Sequence, residues 1–293
     1  MLPLAMLGGG IFYSFFNLFA FLTPYLISIM LLITCCRLSI REMRFTRLHA
    51  WMLAIQVFGS LVVYGAICCF DRVLAEAMLI CVLAPTAVAA TVITGMLGGS
   101  VPCLASYTLV SNLCVAVVAP LVFSLVGAQG DLSFGQSVWH ICSQVGPLLL
   151  LPLAGAWVLE YFVPSVHKML RARQSISFYL WSLALTIVTG RTVFFIMQQN
   201  YGEEFLMAFA ALLLCAVQFA LGRWIGKKYG ETIAGGQGLG QKNTILAIWM
   251  AQVYLSPLSS IGPAAYVLWQ NSINAYQLYR KRKAVNSVGD GRL

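Results

Sequence analysis

The sequence predicts an all-α polytopic membrane protein, on three observations. Of 293 residues, 60% are hydrophobic and 9% charged, where a soluble domain carries roughly 25% charge, so a water-facing surface cannot be assembled from this chain. Apolar runs of about 20 residues, the length that crosses a hydrocarbon core as a helix, recur from end to end. Between them, short basic clusters alternate with loops that are poor in Lys and Arg, as spans of alternating direction require.

Taken in order, the runs place helices at 3–19, 22–38, 50–70, 75–97, 102–126, 138–162, 176–198, 205–226, 232–254 and 261–280, about ten spans by length. The first run has no charged leader and no small-residue cleavage site before the next begins, so it reads as a first span rather than a signal peptide. Arg37, Arg41, Arg44 and Arg47 follow the second span. Lys168, Arg171 and Arg173 follow the sixth, Arg223, Lys227 and Lys228 the eighth, and Arg280 to Lys283 the tenth. The alternate loops hold Asp71 with Arg72, then Asp131, then Glu203 and Glu204, then the uncharged stretch 254–260. Retention of Lys and Arg in the cytoplasm then places both termini there, in an inner (plasma) membrane protein whose solvent is the lipid bilayer.

The net charge of +9 sits in these clusters rather than on one continuous face, which excludes a nucleic-acid partner. The nine cysteines fall mostly inside apolar runs, with no CxxC and no His at zinc spacing, so they read as small core residues and no metal or cofactor is expected. Ser137 and His140, with Gln136 beside them, share a helix face, yet no orienting acid or nucleophile-elbow pattern accompanies them, and an enzyme is the weakest reading. Arg191, within the seventh span, is costly in lipid and so a functional candidate; it either faces a cleft or reaches toward Glu203 and Glu204.

Two spans are unlike lipid-facing helices. The fourth holds Pro85-Thr86 and then Gly95, Gly98 and Gly99; the ninth holds Gly235-Gly236-Gln237-Gly238-Leu239-Gly240-Gln241-Lys242-Asn243. Pro and Gly free backbone groups from the helical ladder, which is tolerated at membrane depth only inside protein or along a cavity. Both are the fourth span of a five-span half, and an odd number of spans inverts the second half, which fits two inverted repeats with broken helices meeting near the midplane. Close helix packing by small residues is the competing account of the glycines; it fits the ninth span less well, because it leaves Gln, Lys and Asn unexplained.

Gly240-Gln241-Lys242-Asn243-Thr244-Ile245-Leu246-Ala247 resembles the ninth-helix segment of the bile acid:sodium symporter family, Pro85 to Pro120 resembles its fourth and fifth helices without a gap, and Trp269-Gln270-Asn271 resembles its tenth-helix Trp-His-Asn. The resemblance implies a single transporter domain over 1–293: a panel of about 1–49 and 138–198, a core of about 50–126 and 205–280 containing the crossed helices 4 and 9, and a basic tail over 281–293. It implies substrate between panel and core, beside half-helix N-termini that favour carboxylates and sulfates.

At the positions where the family's sodium-coupled members bind their ions, this chain has Ala90, Thr91, Leu104, Thr108 and Gly238 for one site, and Gly238, Lys242 and Gln56 for the other. The acid is gone and an ammonium has arrived, and a hard cation needs several oxygens with compensating charge. The expectation is a secondary transporter of a small organic anion by alternating access, not coupled to sodium at these sites. Thr91, Asn243, Gln270, Asn271 and Lys242 are the substrate-binding candidates, and Gln56, Thr91, Thr108 and Lys242 the remnants of ion coupling. Lys242 either replaces a sodium ion, carries a proton, or simply satisfies crossover carbonyls together with Gln56. The alternative is a non-transporting membrane sensor or partner-binding protein with the same fold.

Overall fold

The computed structural model describes residues 2–36, 44–87, 89–127, 134–172, 174–198 and 204–290. Arg37, Arg41, Val88, Asp131, Arg173 and Glu203, and the last residues of the tail, 291–293, lie outside the described residues. The fold is helical: α1 Leu2–Ile11, α2 Tyr13–Asn17, α3 Thr23–Cys35, α4 Arg47–Ile67, α5 Arg72–Leu83, α6 Ala89–Leu97, α7 Val101–Val126, α8 Phe134–Phe162, α9 Pro164–Ala172, α10 Gln174–Gln198, α11 Glu204–Lys228, α12 Thr232–Gly240, α13 Thr244–Tyr254 and α14 Ile261–Asp290. Among the described residues there is no strand, only an isolated antiparallel bridge between Thr86 and Lys242. By length and composition α4, α7, α8 and α11 are long and apolar enough to cross a membrane, and shorter apolar stretches occur at Ala20–Ile33, Ser182–Phe195 and Thr244–Tyr254.

Local chemistry explains the boundaries. Asp71 caps α5 by accepting from the Leu74 amide at 3.0 Å, and Ser100 caps α7, with Pro102 in its first turn where no amide is needed. Gly98 ends α6 at φ +80°, a left-handed conformation that glycine adopts without a Cβ clash. Three boundaries differ from the sequence reading. The first run is interrupted at Phe12 into α1 and α2. Lys168 and Arg171, expected in a loop, lie on α9, a separate amphipathic helix begun by Pro164 whose His167 is buried. The last helix continues past Arg280 to Asp290, because nothing in 281–290 is a strong helix breaker except Gly289.

α10 packs on α1, α2 and α3, and α3 packs on α8; separately, α5 packs on α4, and α11 lies against α5, α12 and α14. The apolar core runs through both sets, joining Ile27 and Leu31 of α3 and Leu185 and Val188 of α10 to Leu79 and Leu83 of α5 and Ile245 to Ala251 of α13. Side chains turned outward are large and apolar, including Phe58, Leu125, Leu151, Phe205 and Val217, the surface expected where lipid is the solvent. The loop ends fall into two groups. Arg44 meets Ser106 and Lys281 meets Met96 at one end, while Arg72 binds the Val126 carbonyl and Glu76 accepts from the Ser256 amide at the other.

Close packing by glycine accounts for part of the ninth span after all. A Cβ on Gly222 of α11 would strike the Gly235 carbonyl, and one on Gly235 would strike the Gly222 carbonyl and Gly226. These three glycines let α11 and α12 touch backbone to backbone.

Candidate functional site

α5 and α6 are separated by 84–88, and α12 and α13 by 241–243. The two interruptions meet. The Ala87 amide donates to the Gln241 carbonyl at 3.0 Å and the Asn243 amide to the Pro85 carbonyl at 2.8 Å, a two-bond antiparallel crossing. Pro85 cannot donate and forces the residue before it out of the helical region, and Ala84 has ψ 140°; this ends α5. The Asn243 side chain accepts from the Leu246 amide at 3.3 Å and so starts α13. Four helix ends converge here. The partly negative ends belong to α5 and α12, the partly positive ones to α6 and α13.

The carbonyls freed at the negative ends are met by side chains of the protein. Lys242 is buried, 1% exposed, and its Nζ donates to the Val82 carbonyl at 2.7 Å. Gln56 donates to the next two, Leu83 at 2.8 Å and Ala84 at 3.2 Å. Its Oε1 accepts from the Tyr107 hydroxyl at 2.8 Å and from Ser111 at 2.9 Å, so the amide orientation is fixed by partners on both sides. On α12, Thr86 Oγ1 donates to the Gly238 carbonyl at 2.7 Å and the Tyr266 hydroxyl to the Gly240 carbonyl at 2.9 Å. Gln270 grips the Lys242 backbone, accepting its amide at 2.9 Å and donating to its carbonyl at 3.3 Å.

Lys242, Asn243 and Gln270 thus meet at the crossing, and Gln56 joins through the end of α5. Thr91 is buried on α6, two residues into the helix. Thr108 and Asn271 are turned back onto their own helices: Thr108 donates to the Leu104 carbonyl at 2.9 Å and Asn271 to the Val267 carbonyl at 2.6 Å. Arg191 is half-buried with its guanidinium over the Phe195 ring, 5.6 Å from the centroid. Gln144 is the neighbour that hydrogen-bonds His140, and Ser137 is buried three residues away.

Gly238, where the resemblance places the lost acid, has no room for a side chain as packed. A Cβ there would run into Met52 Cε and come within 3.0 Å of the Tyr107 ring. Met52 and Tyr107 occupy the space beside the crossing.

Sequence reasoning missed Thr86, Tyr266 and Asn112. Asn112 faces a narrow, largely apolar void between α3, α7 and α8, lined also by Leu31, Cys35, Thr108 and Leu149, with room for about one water. Its amide nitrogen donates to the Thr108 carbonyl at 2.7 Å, while its buried Oδ1 has no partner among the described residues. An Asn inside a run as apolar as 109–126 was the available signal. A larger opening of about 410 Å³ lies at the basic end among Arg44, Ser100, Cys103 and Glu231, away from the crossing.

No curated protein matches the chain significantly. The model of the sodium bile acid symporter family matches residues 23–199, more than half of the chain, a stretch that contains the first broken helix and the α7 face beside it. Together with the apolar helices, that match establishes that the chain is a multi-pass membrane protein belonging to the sodium bile acid symporter family.

Proposed function

We propose that the chain is a secondary transporter of a small organic anion, working by alternating access, in which the Lys242 ammonium stands where the family's sodium-coupled members hold a sodium ion. On this reading about ten spans form two inverted five-span repeats. The packing of α10 on α1, α2 and α3 and of α8 on α3 supports assigning them to a panel, with α8 also packed on α7 across the proposed boundary, and the packing of α5 with α4 and of α11 with α12 and α14 supports a core. The termini are cytoplasmic, because the basic loop ends share one side.

The observation that carries the sodium-independent part is the donor set at the negative helix ends. Val82, Leu83, Ala84, Gly238 and Gly240 are the carbonyls a cation would use, and each already accepts from Lys242, Gln56, Thr86 or Tyr266. Among the described residues the ion pair is Arg72 with Glu76, and no carboxylate pairs with Lys242 to compensate a second positive charge. An added sodium would have to displace these donors and sit beside an ammonium, which low-dielectric surroundings penalise heavily.

The positive ends of α6 and α13 and the Lys242 charge favour an anion at the crossing. Thr91, Asn243, Gln270 and Asn271 are the polar groups that would orient it, Asn271 after leaving the Val267 carbonyl of its own helix. The enzyme reading is set aside, since among the described residues His140 is hydrogen-bonded by Gln144 rather than by an acid and the family is one of transporters.

Uptake into proteoliposomes of a panel of labelled carboxylates and sulfates tests the proposal. At least one anion is expected to enter saturably, at equal rates when external sodium is replaced by potassium. Binding without uptake across the panel would contradict transport and favour a sensor; uptake that requires sodium would contradict the role given to Lys242.

A further inference from the structure

The hydrogen bonds between the proposed panel and core gather toward the end of the molecule that lacks basic clusters. On α10, Thr192 meets α13 and the short 3₁₀ turn Pro257–Ser260. Gln252 of α13 donates its amide nitrogen to Thr192 Oγ1 at 3.0 Å and to the Val188 carbonyl at 3.4 Å. Thr192 Oγ1 lies 3.2 Å from Ser260 Oγ, and Ser260 donates to the Pro257 carbonyl at 2.6 Å. Beside this chain, the Tyr254 hydroxyl of α13 donates to Gln144 of α8 at 2.8 Å.

Proton accounting gives the chain a direction. Ser260 spends its one proton on Pro257, so the contact with Thr192 exists only if Thr192 donates to Ser260. Thr192 can then accept from Gln252, whose second proton goes to the Val188 carbonyl. The single threonine proton is shared between two acceptors, the Val188 carbonyl at 3.0 Å and Ser260 Oγ at 3.2 Å, while Gln252 donates to Thr192 in either case. The three side chains are nearly water-free: Gln252 is 6%, Thr192 4% and Ser260 0% exposed.

We infer that Gln252, Thr192 and Ser260, with the Tyr254–Gln144 bond beside them, form a latch that closes the outer end of the cleft and must break whenever the cleft opens outward. The inference rests on the alternating-access reading and assigns positioning residues for it. Polar groups suit this place, because water replaces each hydrogen bond on opening and the net difference between shut and open stays small. The apolar neighbours in the same seam, Leu185 and Val188 of α10 against Ile248 and Ala251 of α13, do lose contacts on opening, and the polar bonds are the part of the seam that water replaces. Toward the basic end, between α3, α7 and α8, the groups around Asn112 are Leu31, Cys35, Leu149 and Leu153, and its Oδ1 has no partner among the described residues, so no comparable set of paired hydrogen bonds joins the helices there.

The test needs no substrate. Val188→Cys places a thiol at a site 1% exposed on the α10 face that receives Gln252. Its rate of reaction with a membrane-impermeant maleimide, added outside to proteoliposomes and read by peptide mass spectrometry, reports how often the latch opens. Adding Gln252→Leu, or separately Thr192→Val, is expected to raise the rate at position 188 about tenfold. Cys81 and Cys215, 1% and 0% exposed, should stay unreactive and so register unfolding. An unchanged rate in both variants overturns the latch, as does acceleration shared with Cys81 and Cys215. Acceleration confined to position 188 supports it even where no anion is taken up, in which case the transport reading alone would fail.

Discussion

The last carbonyls of a helix have no intrahelical donor, and inside a membrane they have no water either. At the end of α5, Val82, Leu83 and Ala84 receive theirs from Lys242 and Gln56, which lie 160 and about 27 positions away along the chain. The sequence could indicate that Lys242 belongs near a broken helix, but pairing over such separations is set by the tertiary crossing, so Val82 was not identifiable. Lys242→Met keeps the stem and removes the ammonium, leaving the Val82 carbonyl unpaired. A loss of roughly 1–3 kcal/mol is expected, measured by denaturant or thermal unfolding in detergent, and wild-type or higher stability would show that the donor role is absent. Gly238 gives a second case. Its sequence position argues that restoring an acid beside Lys242→Gln could recover a sodium response, but Met52 Cε and the Tyr107 ring fill the space. Gly238→Ala overpacks against the Tyr107 ring and the movable Met52 methyl, at a cost of about 1–3 kcal/mol, offset by a helix-propensity gain of about 1 kcal/mol. A net loss is expected, and Met52→Ala should recover part of it in the double variant. Additive losses would mean that the clash lies elsewhere.

Among the elements, the breaks at 84–88 and 241–243 were legible because Pro and clustered Gly carry backbone consequences that hold in any context. The interruption at Phe12 and the separate helix α9 were not. Gly8-Gly9-Gly10 precede Phe12 but are themselves helical, so the break falls after the glycines rather than at them, and a short amphipathic helix such as α9 resembles a basic loop when charge is what is being counted. Glycine in the ninth span has two jobs that composition cannot separate: Gly235 is needed for contact with α11, while Gly238 borders the crossing. Gly222→Val tests the first. With the Gly235 carbonyl in the way of any Cβ, α12 must move off α11, and a loss of roughly 1–3 kcal/mol is expected together with a weaker crossing. Unchanged stability would show that the two helices are not held at backbone distance.

For the molecule as a whole, hydropathy and basic-loop spacing carried the class, because in lipid each helix must satisfy its own backbone and be apolar for a set length. The chemistry at the crossing was only partly legible. Lys242, Asn243 and Gln270 announce themselves as polar groups in apolar surroundings, whereas Thr86 and Tyr266 look ordinary until α12 is laid beside them, and Asn112 gains meaning only from the void it faces. On the proposed reading the protein supplies its own cation at that crossing. The most direct measurement is the melting temperature of the purified chain titrated with sodium chloride against potassium chloride at equal ionic strength, since a ligand of the folded state raises apparent stability by mass action. The two curves are predicted to coincide across the titration; a saturable rise specific to sodium would contradict the replacement of the ion by Lys242.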